Sequence, residues 1–204
     1  MKTSDTARKG KFLVTLRQGS ELLAEPDIAD FVLSDALLGM ASNYFGEVPV
    51  LSDVSLWWSP TNDSQQESQC YHYDGEDRTQ LKLFLHITDV DERSGPFTYL
   101  DASTSAKIPA TKRVSARLTD ELVHKYVGAD AAKRFMGPAG SLAFVDTSRC
   151  LHYGSRGNSV DRIVMMVQFT RFLAPKAAMP RWDLPETART RLSKVQRMVL
   201  NLSA

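Results

Sequence analysis

The chain has 204 residues, of which 43% are hydrophobic, and its 25 Lys and Arg against 24 Asp and Glu leave a net charge of +1. A chain of this length buries a core without a disulfide or structural metal, and its composition excludes wholesale disorder. The charge balance offers neither nucleic acid nor an anionic membrane a basic surface. No apolar run reaches the roughly 20 residues of a membrane helix, and no signal-peptide stretch follows the first residues. Two cysteines, Cys70 and Cys150, are too few for a disulfide framework and fit a reducing cytoplasm. The expectation is one cytoplasmic domain over residues 1–204, with no nucleic-acid or membrane partner. Oligomeric state is not legible.

The first stretch of about 20 residues is polar and basic and reads as a frayed end. Between residues 26 and 45, Ile28, Phe31, Val32, Leu37, Leu38 and Ala41 recur near helical spacing behind Pro26, which suits an early helix position. This predicts one amphipathic helix, or two short ones broken around Ser34. From residue 54 to 58 a β-like run carries Trp57 and Trp58 and stops at Ser59-Pro60. Further strands are expected at 69–72, 80–88 and 97–100, the last behind a Ser94-Gly95-Pro96 turn. Thr119 caps a helix that Gly128 closes. Strands follow at 142–145, 150–153 and 162–172. A C-terminal helix spans 185–202, with Leu192, Val195, Val199 and Leu202 on one face. Central short strands with helices at both ends predict a sandwich or barrel, mainly β with flanking helices, rather than an alternating α/β sheet.

The chain has four histidines: His72, His86, His124 and His152. His72-Tyr73-Asp74 ends one short strand and opens a loop containing Gly75, so both side chains can point to one spot. His152 stands 78 residues beyond Asp74, and Arg162 follows 10 residues later at the head of a strongly β-like run. Two imidazoles and one carboxylate on one face of a ferrous ion leave three positions open, the arrangement of non-haem iron oxygenases. A keto acid can fill two of them and oxygen the third. Its far carboxylate then needs a fixed cation, and arginine offers a planar, permanently charged, bidentate partner.

The segments His72-Tyr73-Asp74-Gly75-Glu76-Asp77, Gln80 to Leu85, Asp89 to Phe97 and Gly140 to Ser148, followed by His152 and Arg162, resemble the phytanoyl-CoA dioxygenase-like family. The resemblance covers about residues 54–172 and implies a double-stranded β-helix, the jelly-roll or cupin-like fold. It implies an iron(II)- and 2-oxoglutarate-dependent dioxygenase using O₂ to hydroxylate an unactivated C–H of a small-molecule metabolite. By that likeness His72, Asp74 and His152 are the iron ligands and Arg162 the 2-oxoglutarate anchor. Some members place a serine two residues after the second histidine to help bind the keto acid. Here Gly154 stands there, with Ser155 one place late.

Alternatives stand beside this reading. A metal-binding jelly roll without oxidative activity would share the fold, and an oxygenase acting on a protein side chain would share every ligand. Alternation puts Lys82 on the face opposite Leu81, Leu83 and Leu85, where it either meets the cosubstrate or is a surface lysine. Arg149, Arg156 and Arg171 compete with Arg162. His86 reads as a core or rim histidine and His124 as solvated. Cys70 and Cys150 share the faces of the histidines two residues on, and read as small buried residues. The polar start of residues 101–118 is expected either as a lid over the site or as an ordinary connection.

Overall fold

The computed structural model describes residues 8–9, 12–113, 117–172 and 180–202. In chain order the strands are β1 (Arg8–Lys9), β2 (Leu13–Gln18), β3 (Val50–Ser59), β4 (Leu81–His86), β5 (Phe97–Tyr99), β6 (Lys133–Phe135), β7 (Leu142–Asp146), β8 (His152–Tyr153) and β9 (Arg162–Thr170). The helices are α1 (Ser20–Leu23), α2 (Pro26–Val32), α3 (Asp35–Phe45), α4 (Ala102–Ser105), α5 (Ala110–Arg113), α6 (Asp120–Val127), α7 (Glu186–Arg189) and α8 (Lys194–Val199). Two antiparallel sheets result, in the orders β1-β2-β3-β9-β4-β7 and β6-β5-β8. This is the double-stranded β-helix, mainly β with flanking helices.

The period-2 alternation of β4 and β9 decides what lies on each side of the large sheet. Leu81 and Leu83 of β4, with Met165, Val167 and Phe169 of β9, join Leu22, Leu23, Val32, Leu37, Leu38 and Val199 from the helices in one buried cluster. The opposite face turns inward, where Phe84, Val145, Val164 and Met166 meet Phe97 of the small sheet. That inner face therefore carries Lys82 and His86 from β4 and Arg162 from β9. A one-residue slip of either strand would exchange the two sets.

Several elements depart from the sequence reading. The expected frayed end instead contains β2, antiparallel to β3 with Val14 opposite Trp58 and Thr15 opposite Trp57. Phe12 and Leu13 are buried. The apolar run Phe12-Leu13-Val14 outweighs the basic residues before it, while residues 1–7, 10 and 11 lie outside the described part. Of the two forms expected for residues 26–45, the chain takes the one broken at Ser34, which caps the second helix by accepting from Leu37 N–H at 3.4 Å. The C-terminal helix is two short ones. Ser193 restarts the chain with a reciprocal cap, accepting from Gln196 N–H while Gln196 accepts from Ser193 N–H, and Val195 of the expected apolar face is exposed. Residues 69–72 are not a full strand: a 3-10 turn, Glu67–Gln69, precedes isolated bridges at Tyr71 and His72. Residues 101–113, expected as a lid or an ordinary connection, carry α4 and α5. Asp101 caps α4 by accepting from Thr104 N–H at 2.8 Å, Ile108 is buried, and Ser105 Oγ accepts from Leu151 N–H at 2.9 Å. Residues 114–116 of that connection lie outside the described part.

Candidate metal centre and anion site

His72 joins His152 of β8, at the edge of the small sheet, through a two-way antiparallel backbone bridge, N–H to O at 2.9 and 3.0 Å. That bridge places the imidazoles side by side, with ring centroids 4.3 Å apart. In each histidine Nδ1 lies 2.9 Å from the carbonyl two residues earlier, Cys70 O and Cys150 O. A carbonyl only accepts, so Nδ1–H donates and Nε2 keeps the lone pair. The cysteines thus serve the site through their backbones. The Cys150 thiol instead sits beside the Phe84 and Phe97 cluster, where burial pushes it up to about 11.

Asp74 completes the group. Its backbone N–H is held by Thr147 O at 3.0 Å. Its Oδ1 lies 3.8 Å from His72 Nε2 and its Oδ2 3.6 Å from His152 Nε2. These separations are below the roughly 4.2 Å that two ligands can span across one ion at about 2.1 Å from each. Among the described residues this is the group of three or more His, Cys, Asp or Glu side chains close enough to share an ion. Burial, and then the neighbouring imidazole, lowers His72 to about 4, and burial lowers His152 as well. Both rings are neutral at pH 7, as metal ligands must be. Burial alone would raise the Asp74 carboxyl, but the Lys82 ammonium and both imidazoles hold it well below the usual carboxylate range. Lys82 Nζ donates to Asp74 Oδ2 at 2.7 Å.

The loop between Asp74 and β4 is clamped from the far end of β9. Arg171 donates from Nε and Nη2 to the buried Asp77 carboxylate, at 3.0 and 2.5 Å. Arg171 is therefore a structural cation. Arg156 is engaged by Asp120 at 2.7 and 2.9 Å and lies 3.6 Å over the Tyr153 ring. Arg149 is not among the cavity-lining residues. Of the four arginines that competed for the anchor, Arg162 is the one in the cavity with the triad.

Arg162 is 6% exposed, and burial lowers its guanidinium to about 10, so it is charged at neutral pH. Its Nη2 donates to Ser155 Oγ at 3.0 Å, and Ser155 Oγ shares a hydrogen bond with Ser59 Oγ at 2.8 Å. The late serine still reaches the arginine because of its backbone. Ser155 has φ 59, a left-handed value that L-residues adopt only when held there, and Gln69 Nε2 donates to its carbonyl at 2.5 Å. Gly154 is explained by the same arginine: a Cβ there would sit 3.3 Å from Nη2. Sequence pattern alone left this contact open, because serine at positive φ has no spacing rule.

The rest of the cavity wall is aromatic, with Trp57, Phe84, Phe97 and Phe135, and it includes Leu13 and His86. Trp58 points elsewhere, donating from Nε1 to Asp161 at 3.0 Å. His86, read from the sequence as a core or rim histidine, is both buried and part of the wall. It is 1% exposed and set among aromatics.

A double-stranded β-helix with a His-Asp-His group at one end of its inner cavity and a buried arginine in the same cavity defines a candidate metal- and acid-binding jelly roll. No protein-family profile and no curated protein matches the sequence. Solved structures match the fold. HygX from Streptomyces hygroscopicus, with nickel and 2-oxoglutarate bound, shares 15% identity at a TM-score of 0.58 over 83% of this chain and 74% of its own. EctD from S. alaskensis shares 13% at 0.57 over 94% and 67%. The non-haem α-ketoglutarate-dependent epimerase SnoN from nogalamycin biosynthesis shares 11% at 0.53 over 83% and 66%. HygX and EctD also have structures with iron bound. Among the described residues no helix is long and apolar enough to cross a membrane.

Proposed function

We propose that the chain is an iron(II)- and 2-oxoglutarate-dependent dioxygenase of the phytanoyl-CoA dioxygenase-like type, cytoplasmic, hydroxylating a small-molecule metabolite. The observation that carries this reading is the pairing, in one cavity, of three neutral or anionic candidate ligands of matching spacing with a buried arginine whose one side-chain partner among the described residues is the Ser155 hydroxyl. His72, Asp74 and His152 would hold the iron through Nε2, a carboxylate oxygen and Nε2. When bound, iron with 2-oxoglutarate and O₂ supplies an oxidant strong enough for an unactivated C–H, at the expense of decarboxylating the keto acid. Arg162, steadied by Ser155 and Ser59, would fix the far carboxylate of 2-oxoglutarate. Lys82 keeps Asp74 anionic and stands in the same cavity, where it can also meet the acid. Trp57, Phe84, Phe97 and Phe135 exclude water and give an organic substrate an apolar wall. The small-molecule class is supported by the fold neighbour HygX, which has a structure with hygromycin B bound.

Manganese(II), redox-inert in this setting, tests the assignment without turnover. One ion should bind per chain in a calorimetric titration. 2-Oxoglutarate should then bind to the metal-loaded protein and only weakly to the metal-free one, because two of its oxygens need the ion. With iron(II) and air, 2-oxoglutarate should be consumed to succinate. Metal binding without any keto-acid binding would leave the non-catalytic jelly roll as the correct reading.

A further inference from the structure

Among the described residues, two cavity-lining side chains each have a buried polar atom without a hydrogen-bond partner: Nε of Arg162 and Nδ1 of His86. A buried polar atom left without a partner is costly, so two on one wall point to a ligand that satisfies both. They share a wall by register. His86 lies opposite Val164 of β9, and Arg162, two residues from Val164, projects to the same face.

The protonation of His86 follows from its surroundings. The ring makes a backbone hydrogen bond to Gly137. The Gly137 N–H is already spent on Val90 O at 3.0 Å, so the ring donates to the Gly137 carbonyl. With Nδ1 unpartnered, the donor is Nε2–H. Nδ1 of the neutral ring therefore carries a lone pair. A carboxylate oxygen held by Arg162 would face that lone pair and be repelled. A proton on Nδ1 converts the repulsion into a charge-assisted hydrogen bond.

The charges around the ring allow that step. From β9 it meets the Arg162 cation, which, after burial, helps hold the free ring below its ordinary value. From β6 it meets the Phe135 ring at 4.2 Å, while Arg134 of that strand is turned outward to Glu92 at 3.3 Å. On β4 itself, Lys82 is paired with Asp74 at 2.7 Å. No anion opposes Arg162 among the described residues lining the cavity except Asp74, which Lys82 neutralises. An incoming carboxylate is thus the group that would tip His86 to its protonated form.

We propose that His86 is a second anchor for the far carboxylate of the keto acid, binding it beside Arg162 and taking up one proton from solvent at Nδ1 as it does so. This rests on the reading of the cavity as a 2-oxoglutarate site.

The test is calorimetric titration of 2-oxoglutarate into full-length protein saturated with manganese(II), at pH 7 in two buffers of different ionisation enthalpy. Wild type should take up close to one proton. His86→Asn puts a non-titrating amide near the Nδ1 position and should bind within about threefold of wild type with no proton uptake. His86→Leu should weaken binding about tenfold, or about 1.4 kcal/mol. Manganese affinity should be the same in all three. Equal proton counts in wild type and His86→Asn, or unchanged affinity in His86→Leu, would overturn the inference and leave the 2-oxoglutarate site standing. A wild type that binds manganese but no 2-oxoglutarate would overturn the reading beneath it as well. Should His86→Leu fail to fold, the proton count of His86→Asn decides.

Discussion

At the metal end of the cavity the side chains are held from behind. Each imidazole is tied through Nδ1 to a carbonyl two residues back, and Asp74 is fixed by Thr147 at its backbone and by Lys82 at its carboxylate. At the proposed acid end Arg162 donates to the Ser155 hydroxyl, which is itself bonded to that of Ser59, and among the described residues its Nε and His86 Nδ1 have no partner. The difference teaches how a site can be preorganised in two ways. Backbone carbonyls set the direction of the proposed metal ligands in advance, whereas the proposed acid end holds buried hydrogen-bonding capacity that a ligand would complete.

The comparison breaks most decisively at His152. Replacing a supporting partner of a metal ligand costs 10–100-fold in affinity, so His152→Ala, which removes a ligand itself, should weaken manganese(II) binding more than about a hundredfold. Isothermal calorimetry would show this, with the thermal midpoint of the metal-free protein little changed. The next largest effect falls at the other end. Arg162→Ala should raise the 2-oxoglutarate dissociation constant at least tenfold, about 1.4 kcal/mol, and leave metal affinity intact. Arg162→Lys should rescue this only in part, because an ammonium cannot bind bidentately. Equal loss of metal and acid binding in Arg162→Ala would erase the distinction between the two ends.

A smaller effect sharpens the picture. Ser155→Ala removes one hydrogen bond to a charged group, worth about 1.5 kcal/mol or more in other proteins. Ser59 remains nearby, so the expected loss in 2-oxoglutarate affinity is several-fold. The smallest expected change lies outside the cavity. Arg171→Met strips the cation from Asp77, whose carboxyl burial would raise and Arg171 holds below its usual value. A depressed carboxyl contributes stability that is present above its unfolded pKa of about 3.9 and is lost as pH falls through the folded value. Wild type should therefore melt above the variant at pH 7, and the two midpoints should converge at lower pH.

What was legible in the sequence follows the strength of local pattern. The alternation Leu81, Leu83, Leu85 against Lys82 and Phe84 separates the two faces of β4 without telling which of them is inner, and the spacing of His72, Asp74 and His152 marks a candidate metal group. Other features depend on long-range contacts. β2 was hidden because its apolar run is short and follows basic residues, and only pairing with β3 stabilises it. The C-terminal pattern is helical throughout, yet Ser193 offers the backbone a cap that divides it. His86 looked like any strand histidine, since no spacing rule tells a residue satisfied in a core from one facing a cavity. Ser155 was obscured by its left-handed backbone, a property of the turn rather than of the residue type.

The proposed function requires metal and keto acid to meet in one cavity, and one spectrum addresses that directly. Iron(II) and then 2-oxoglutarate are added to the protein under anaerobic conditions while the visible absorption is recorded. Chelation of ferrous ion by an α-keto acid gives a metal-to-ligand charge-transfer band. The band should appear only with both components present, saturate at one equivalent of iron, vanish in His152→Ala, and need more 2-oxoglutarate in Arg162→Ala. A wild-type spectrum unchanged by 2-oxoglutarate, with iron shown to be bound, would contradict it.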